Sequence, residues 1–316
     1  MLRKKALRKI FVTTMSIFIV IAICFIKTTD SSPKTLATNL ELEYISGLGN
    51  HSIYLLNEEN YLVKVKILLD NEDQIENIKT ILSNLTIGDN TKYPDSLKAL
   101  IPKGTKVLSV DMKDDVVIID FSKEFNKVAK EDSEKMIEAI VFSITELKDI
   151  NGVQIKVEGQ ELDKYPNTDI SCPTTLTRQI GINKHYQLTG RNNINKVVIY
   201  YNEKIDDNIY YVPVTKYKND DRNKITILIE ELTTGYIYEP NLMSLVNENT
   251  ELLGVDTEGN LMTLDFNESL LDIDGTIKEE VIYTLGYGVF ENYDVEVLSL
   301  KVNGKEKATI KKSDLP

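Results

Sequence analysis

Residues 102–161 of this chain are written a second time at 247–306, at a constant offset of 145 and without a gap. Thr105 to Asp111 (TKVLSVD) matches Thr250 to Asp256 (TELLGVD), and Val116 to Phe121 (VVIIDF) matches Leu261 to Phe266 (LMTLDF). Val157 to Glu161 (VEGQE) matches Val302 to Glu306 (VNGKE). An ungapped match across strand, helix and strand patterns means two copies of one folding unit. The shared positions are mostly core apolar residues and turn residues, a pattern that leans away from one dedicated active site.

Periodicity gives each copy the order ββαββαβ. In the first, Ser52–Asn57 and Tyr61–Ile67 read as a hairpin with Glu58–Asn60 as its turn. Ile75, Ile78, Leu82 and Leu85 then fall at helical spacing over 72–85. Residues 105–112 and 116–121 form a second hairpin. The run 133–148 is an amphipathic helix with Ile137, Ile140, Val141, Ile144 and Leu147 on one stripe, and 153–157 is the last strand. In the second copy, 197–201 and 209–214 are the first hairpin, with Pro213 marking an edge strand because it has no N–H for a ladder. Residues 225–232 are a helix, 251–255 and 261–266 a hairpin. Thr276-Ile-Lys-Glu279 reads as a capping box opening a helix to about Phe290, and 296–302 is the final strand. Gly286 and Gly288 inside that helix point to a close neighbour, since glycine there costs about 1 kcal/mol against alanine. The expected fold class is α+β: two tandem ββαββαβ domains, each a mixed sheet with two helices on one face, behind an N-terminal transmembrane segment.

The ends of the chain bear on its compartment. Arg3, Lys4, Lys5, Arg8 and Lys9 precede Ile10–Ile26, which carries no charge and lies at the short limit for a bilayer span. Positive charge stays inside, so the rest is expected outside the cytoplasmic membrane. A lipoprotein attached at Cys24, after Ile21-Ala-Ile23, and a cleaved signal peptide are the alternatives. Domains are expected at 1–27 (membrane anchor), 28–50 (tether), 51–159 (first repeat), 160–196 (connector), 197–308 (second repeat) and 309–316 (polar tail).

Residues 1–27 hold six of the 37 basic side chains and no acidic one, leaving 31 basic against 49 acidic beyond them. That balance of −18 argues against nucleic acid as a partner and against docking on anionic lipid. With Cys24 in the apolar segment, Cys172 has no mate for a disulfide framework. The two histidines, His51 and His185, stand far from each other and from either cysteine, so no metal site is expected. Asp120 and Asp265 end equivalent strands. A pair of carboxylates is what a cell-wall glycosidase needs, but a strand-end Asp before Ser122 or Asn267 is also what a turn needs, and the second reading is preferred. No catalytic or cofactor-binding residue is therefore assigned. Tyr200, Tyr201, Tyr210 and Tyr211 cluster on one hairpin, where alternation would expose some of them as partner-binding residues.

Pro102–Val110, Val116–Ser122, the helix after them and Val153–Gly159 resemble the GerMN domain. Leu176-Thr-Arg178 with Ile182-Asn183 resembles the short segment that closes such domains, and Tyr211–Thr215 its early strand. The tandem arrangement is similar to a family of sporulation and germination proteins of endospore-forming bacteria. The resemblance implies a non-enzymatic, membrane-anchored protein of the space between mother cell and forespore. It would work as a scaffold or assembly factor with other proteins of the intermembrane complex. Peptidoglycan binding, and after it cell-wall hydrolysis, are the alternatives.

Overall fold

A computed structural model describes residues 50–88, 93–234, 237 and 241–316. The expected anchor at 10–26 and most of the tether lie outside the described residues. Among those described, no helix is long and apolar enough to cross a membrane.

Copy one contributes β1 (His51–Leu56), β2 (Leu62–Ile67), α1 (Gln74–Asn84), β3 (Val107–Lys113), β4 (Val116–Phe121), α2 (Ser133–Ile144), β5 (Gly152–Val157) and the two-residue β6 (Gln160–Glu161). A short β7 (His185–Gln187) follows in the connector. Copy two contributes β8 (Ile194–Ile205), β9 (Asn208–Asn219), α3 (Lys224–Thr233), β10 (Leu242–Met243), β11 (Leu252–Glu258), β12 (Leu261–Phe266), α4 (Glu279–Asn292), β13 (Val297–Val302) and β14 (Lys305–Lys311). The sequence-expected order is present in both copies.

Each copy keeps its own mixed four-stranded sheet, β3-β4-β5-β6 and β11-β12-β13-β14, in which the two middle strands run parallel and the outer pairs antiparallel. The copies agree in detail. A bulge between Val107 and Ser109 recurs between Leu252 and Gly254. Val117, Ile119 and Phe121 in one, and Met262, Leu264 and Phe266 in the other, are buried against the helices. Alternate residues on the opposite faces stay partly exposed, the pattern of a sheet covered on one side.

The expectation of one sheet per copy holds only for these strands. The first hairpins leave their own copies and join in a single six-stranded sheet of order β1-β2-β9-β8-β10, with β7 added alongside β9. A two-stranded hairpin has little stability of its own, and β1 is buried at all six residues, so it needs a partner on its edge and layers on its faces. The shared sheet packs on the far side of the helices, α2 against β1, and α3 and α4 against β8. That explains α2, which buries ten of its twelve residues rather than one stripe.

Three further expectations change. Strand β9 is interior, between β2 and β8, so Pro213 does not mark an edge. No capping box forms at Thr276: its hydroxyl donates to Asp274, 2.7 Å away, and α4 starts three residues later. The 160–196 connector, for which no free state was expected, buries Leu176 and Ile182 in the core. Residues 309–316 are not a free tail, because β14 runs to Lys311 and Leu315 packs near Gly286.

Candidate functional site

The seam between the copies lies where β2 meets β9. Lys64 pairs with Tyr211. Continuing that antiparallel register two residues each way sets Leu62 opposite Pro213, which has no N–H to offer. The connector supplies the missing groups. Asn183, buried, accepts from the Leu62 N–H at 2.8 Å and donates to the carbonyls of Leu62 at 2.9 Å and Pro213 at 2.7 Å. Lys135 Nζ donates to the same side-chain oxygen at 2.7 Å. One amide thus satisfies the strand edges that proline leaves open.

Arg178, five residues earlier in the connector, joins the copies. Its Nε and Nη2 donate to the two oxygens of Glu291 at 2.8 and 2.6 Å, a bidentate pair. Nη2 also reaches Glu146 Oε1 at 3.4 Å, while Nη1 donates to the Phe142 carbonyl and Thr145 Oγ1. Glu146 and Glu291 are one position of the repeat, 145 residues apart. Tyr54 from β1 donates to Glu146 at 2.8 Å, and Tyr200 from β8 sits 3.5 Å from Glu291. Lys64 Nζ completes the cluster, 3.2 Å from Glu146 and 4.3 Å from the centre of the Tyr287 ring. Two cations balance two carboxylates. Burial opposes ionisation of Glu146, but Lys64, Arg178 and the Tyr54 hydroxyl overcome it and hold the carboxyl well below the usual carboxylate range.

The tyrosines expected to face a partner are inside. None of Tyr200, Tyr201, Tyr210 and Tyr211 is more than 9% exposed. Tyr200 stacks on Tyr287 of α4 with ring centres 4.9 Å apart, and Tyr211 meets the same ring at 5.0 Å. Tyr201 donates to Glu231 of α3. An edge hairpin would have exposed one face, but a hairpin buried between helices and a second hairpin exposes neither.

The carboxylates weighed for hydrolysis serve turns. Asp120 accepts from the Gly159 N–H and Asp265 from the Gly304 N–H, each at 3.0 Å. Those glycines have φ of 80° and 78°, which a Cβ would strain. Ser122 and Asn267 likewise accept from the equivalent backbone N–H groups of Lys106 and Glu251. His51 is buried, donating from Nε2 to the Ser143 carbonyl, and burial lowers its pKa below 6.5. Burial pushes the Cys172 thiol up to about 11, away from thiolate chemistry. Among the described residues no cluster of His, Cys, Asp and Glu could hold a metal. A polar cleft of about 440 Å³ opens beside the seam, lined by Glu59, Tyr61, Lys135, Asn183, Lys184 and His185. Lys184 lies there between Glu134 and Glu138, at 2.5 and 2.7 Å.

Sequence reasoning missed Glu146, Glu291 and Lys64 as a unit. A signal existed, because the repeat aligns two glutamates at the ends of two apolar helices. Neither sequence nor spacing says that one arginine serves both.

The Germane family model, described as sporulation and spore germination, matches residues 52–163 and 188–308. The chain is 30% identical over 274 residues, 83% of its length and 74% of the relative's, to the spore germination protein GerM of Bacillus subtilis strain 168. It is similar to the solved tandem GerMN domains of the sporulation protein GerM from Bacillus subtilis, with a TM-score of 0.75 and 28% identity. That match covers 84% of this chain and 97% of the other.

Proposed function

This chain belongs to the Germane family of sporulation and spore germination proteins, and we propose that within it the chain is a non-enzymatic scaffold or assembly factor. In this reading it is anchored in the cytoplasmic membrane through residues 10–26, with both repeats outside. There it supports the intermembrane complex that joins mother cell and forespore.

One observation carries the non-enzymatic part. The polar residues at three equivalent positions of the two copies are committed to structure: Asp120 and Asp265 to turns, Ser122 and Asn267 to backbone N–H groups, Glu146 and Glu291 to Arg178. A duplicated catalytic unit would be expected to repeat a reactive constellation, and these repeats duplicate a joint. The acidic balance outside the membrane suits a protein partner over a lipid or nucleic-acid surface.

The test is the titre of heat-resistant spores in a strain lacking the chain, with phase-contrast images through engulfment. A large drop with stalled or collapsed forespores is expected. A normal titre would overturn an essential assembly role. Sedimentation of the protein with purified cell wall, in a strain with normal titre, would move the reading to peptidoglycan binding.

A further inference from the structure

The sheet of the second repeat ends in two margins of opposite charge. Strand β11 is one margin and β14 the other, each seven residues long. Residues 251–258 carry Glu251, Asp256 and Glu258 with no basic side chain, and all three are exposed. Residues 305–312 carry Lys305, Lys307, Lys311 and Lys312 against Glu306 alone, again exposed. This positive margin belongs to a chain whose net charge is −12. Two large apolar side chains accompany the acids, Leu253 at 53% and Val255 at 45% exposure.

The first repeat shows that the fold does not demand this charge pattern. Its positions equivalent to Glu251 and Glu258 are Lys106 and Lys113, the opposite sign on the same strand. Its counterpart of β14 is cut to two residues, and the connector occupies that margin instead through the Leu176–Val153 bridge. Among the described residues, only the second repeat has no further strand or bridge on either margin of its four-stranded sheet, and only there are the charges segregated.

Geometry makes the two margins compatible. Strands β12 and β13 are parallel, and β11 and β14 each run antiparallel to their neighbour, so β11 and β14 point the same way. A β14 margin can therefore lie beside the β11 margin of another copy in parallel pairing, with the helices of both copies on the same side. Glu251 and Glu258 bracket β11 as Lys305 and Lys311 bracket β14, each pair spanning roughly 20 Å at the rise of a strand. Pairing like with like would set lysine against lysine or acid against acid, so charge selects the heterologous contact over the isologous one.

We propose that copies of this chain associate head to tail, the β14 margin of one adding to the β11 margin of the next. The joined sheet runs on through successive copies, with backbone ladders for affinity and the charge match for direction. The alternative use of margin lysines is to repel other strands, and the experiment separates the two. This inference rests on the charge of the margins and stands apart from the sporulation reading, which is tested in cells.

Sedimentation velocity on the full-length protein in nonionic detergent is the assay, with two charge variants. Glu251→Lys/Glu258→Lys installs the charges that the first repeat already carries. Lys305→Glu/Lys311→Glu reverses the other margin. Wild type is expected to self-associate with rising concentration, its association constant falling about tenfold or more from low to high salt. Each variant alone is expected to stay monomeric, and an equimolar mixture of the two to associate again, because each then offers the other a complementary pair of margins. Recovery in the mixture also shows that both variants fold. A wild type that stays monomeric throughout, variants that associate as wild type does, or a mixture that fails to recover would each overturn the proposal.

Discussion

Replacing Arg178 with methionine keeps an unbranched side chain but removes the guanidinium, which lies 4.4 Å over the centre of the Phe142 ring and joins the copies. Glu146 retains Lys64 and Tyr54 as partners, so the loss concentrates on Glu291, left with the 3.5 Å contact from Tyr200. Removing one partner of a buried ion pair costs about 3–5 kcal/mol. The Arg178 and Glu291 side chains are 24% and 12% exposed, which admits some water and favours the lower end, about 3 kcal/mol. For a unit of this size that is a fall in melting temperature of roughly 6–12 °C. Chemical denaturation of Arg178→Met, Glu291→Gln and the double variant measures it. The double variant is expected to lie well above the sum of the singles, because neither charge is then stranded. The pH dependence has a definite sign. A carboxyl held below its ordinary value of 4.5 stabilises the fold above that pH and loses the contribution as pH falls through its folded value. Wild type should therefore weaken below about pH 5 more steeply than Glu146→Gln does. A loss under about 1 kcal/mol for Arg178→Met, with additive singles, would refute the argument that this cluster locks the seam.

Three more outcomes follow from named contacts. Asn183→Ala strips the Leu62 N–H and two carbonyls of their partner and should cost about 3 kcal/mol in denaturant titrations. Gly288→Ala improves helix propensity by about 1 kcal/mol, but its Cβ would lie 2.6 Å from Leu228 Cδ1 in a packed core, so thermal melts should show a net loss of about 1 kcal/mol. Asp265→Ala removes only a turn contact to the Gly304 N–H; stability should fall by at most about 1 kcal/mol and spore titre should match wild type, whereas a null phenotype with intact folding would revive a catalytic role.

Much of the fold was legible because the two copies could be read against each other. The ungapped offset of 145 carried over to strand register, to the bulges at Leu108 and Leu253, and to the glycine turns after β5 and β13. Local pattern fixed those features, and local pattern is what sequence displays. Partner choice between elements was not legible. Strand β1 reads the same whether its hairpin closes its own sheet or a shared one, because burial on both faces leaves the same apolar run. Pro213 misled for a related reason: the rule that proline sits at an edge assumes that only backbone can fill a ladder, and here the Asn183 amide fills it. The tyrosines misled because alternation assigns faces without saying what covers each face. Arg178 stood in a segment with no periodicity, where nothing local marks a residue that bonds two helices more than a hundred positions apart.

The asymmetry between the copies has a physical cause in the connector. Copy one is followed by a segment that must cross to copy two, and on the way it fills the margin beside β5, supplies Arg178 and Asn183, and adds β7 to β9. In copy two the equivalent last strand runs to seven residues and itself forms the margin. Duplication thus leaves one copy with its margin closed by its own chain and the other with that margin open. Interaction through a strand margin therefore falls to the second repeat, while the first repeat and connector hold it in one fixed orientation through the ion cluster. If the seam loosens, the margins remain but their direction relative to the rest of the unit is lost. Arg178→Met should then weaken ordered association more than it weakens the fold of the second repeat itself, a difference that sedimentation and denaturation of the same variant would expose.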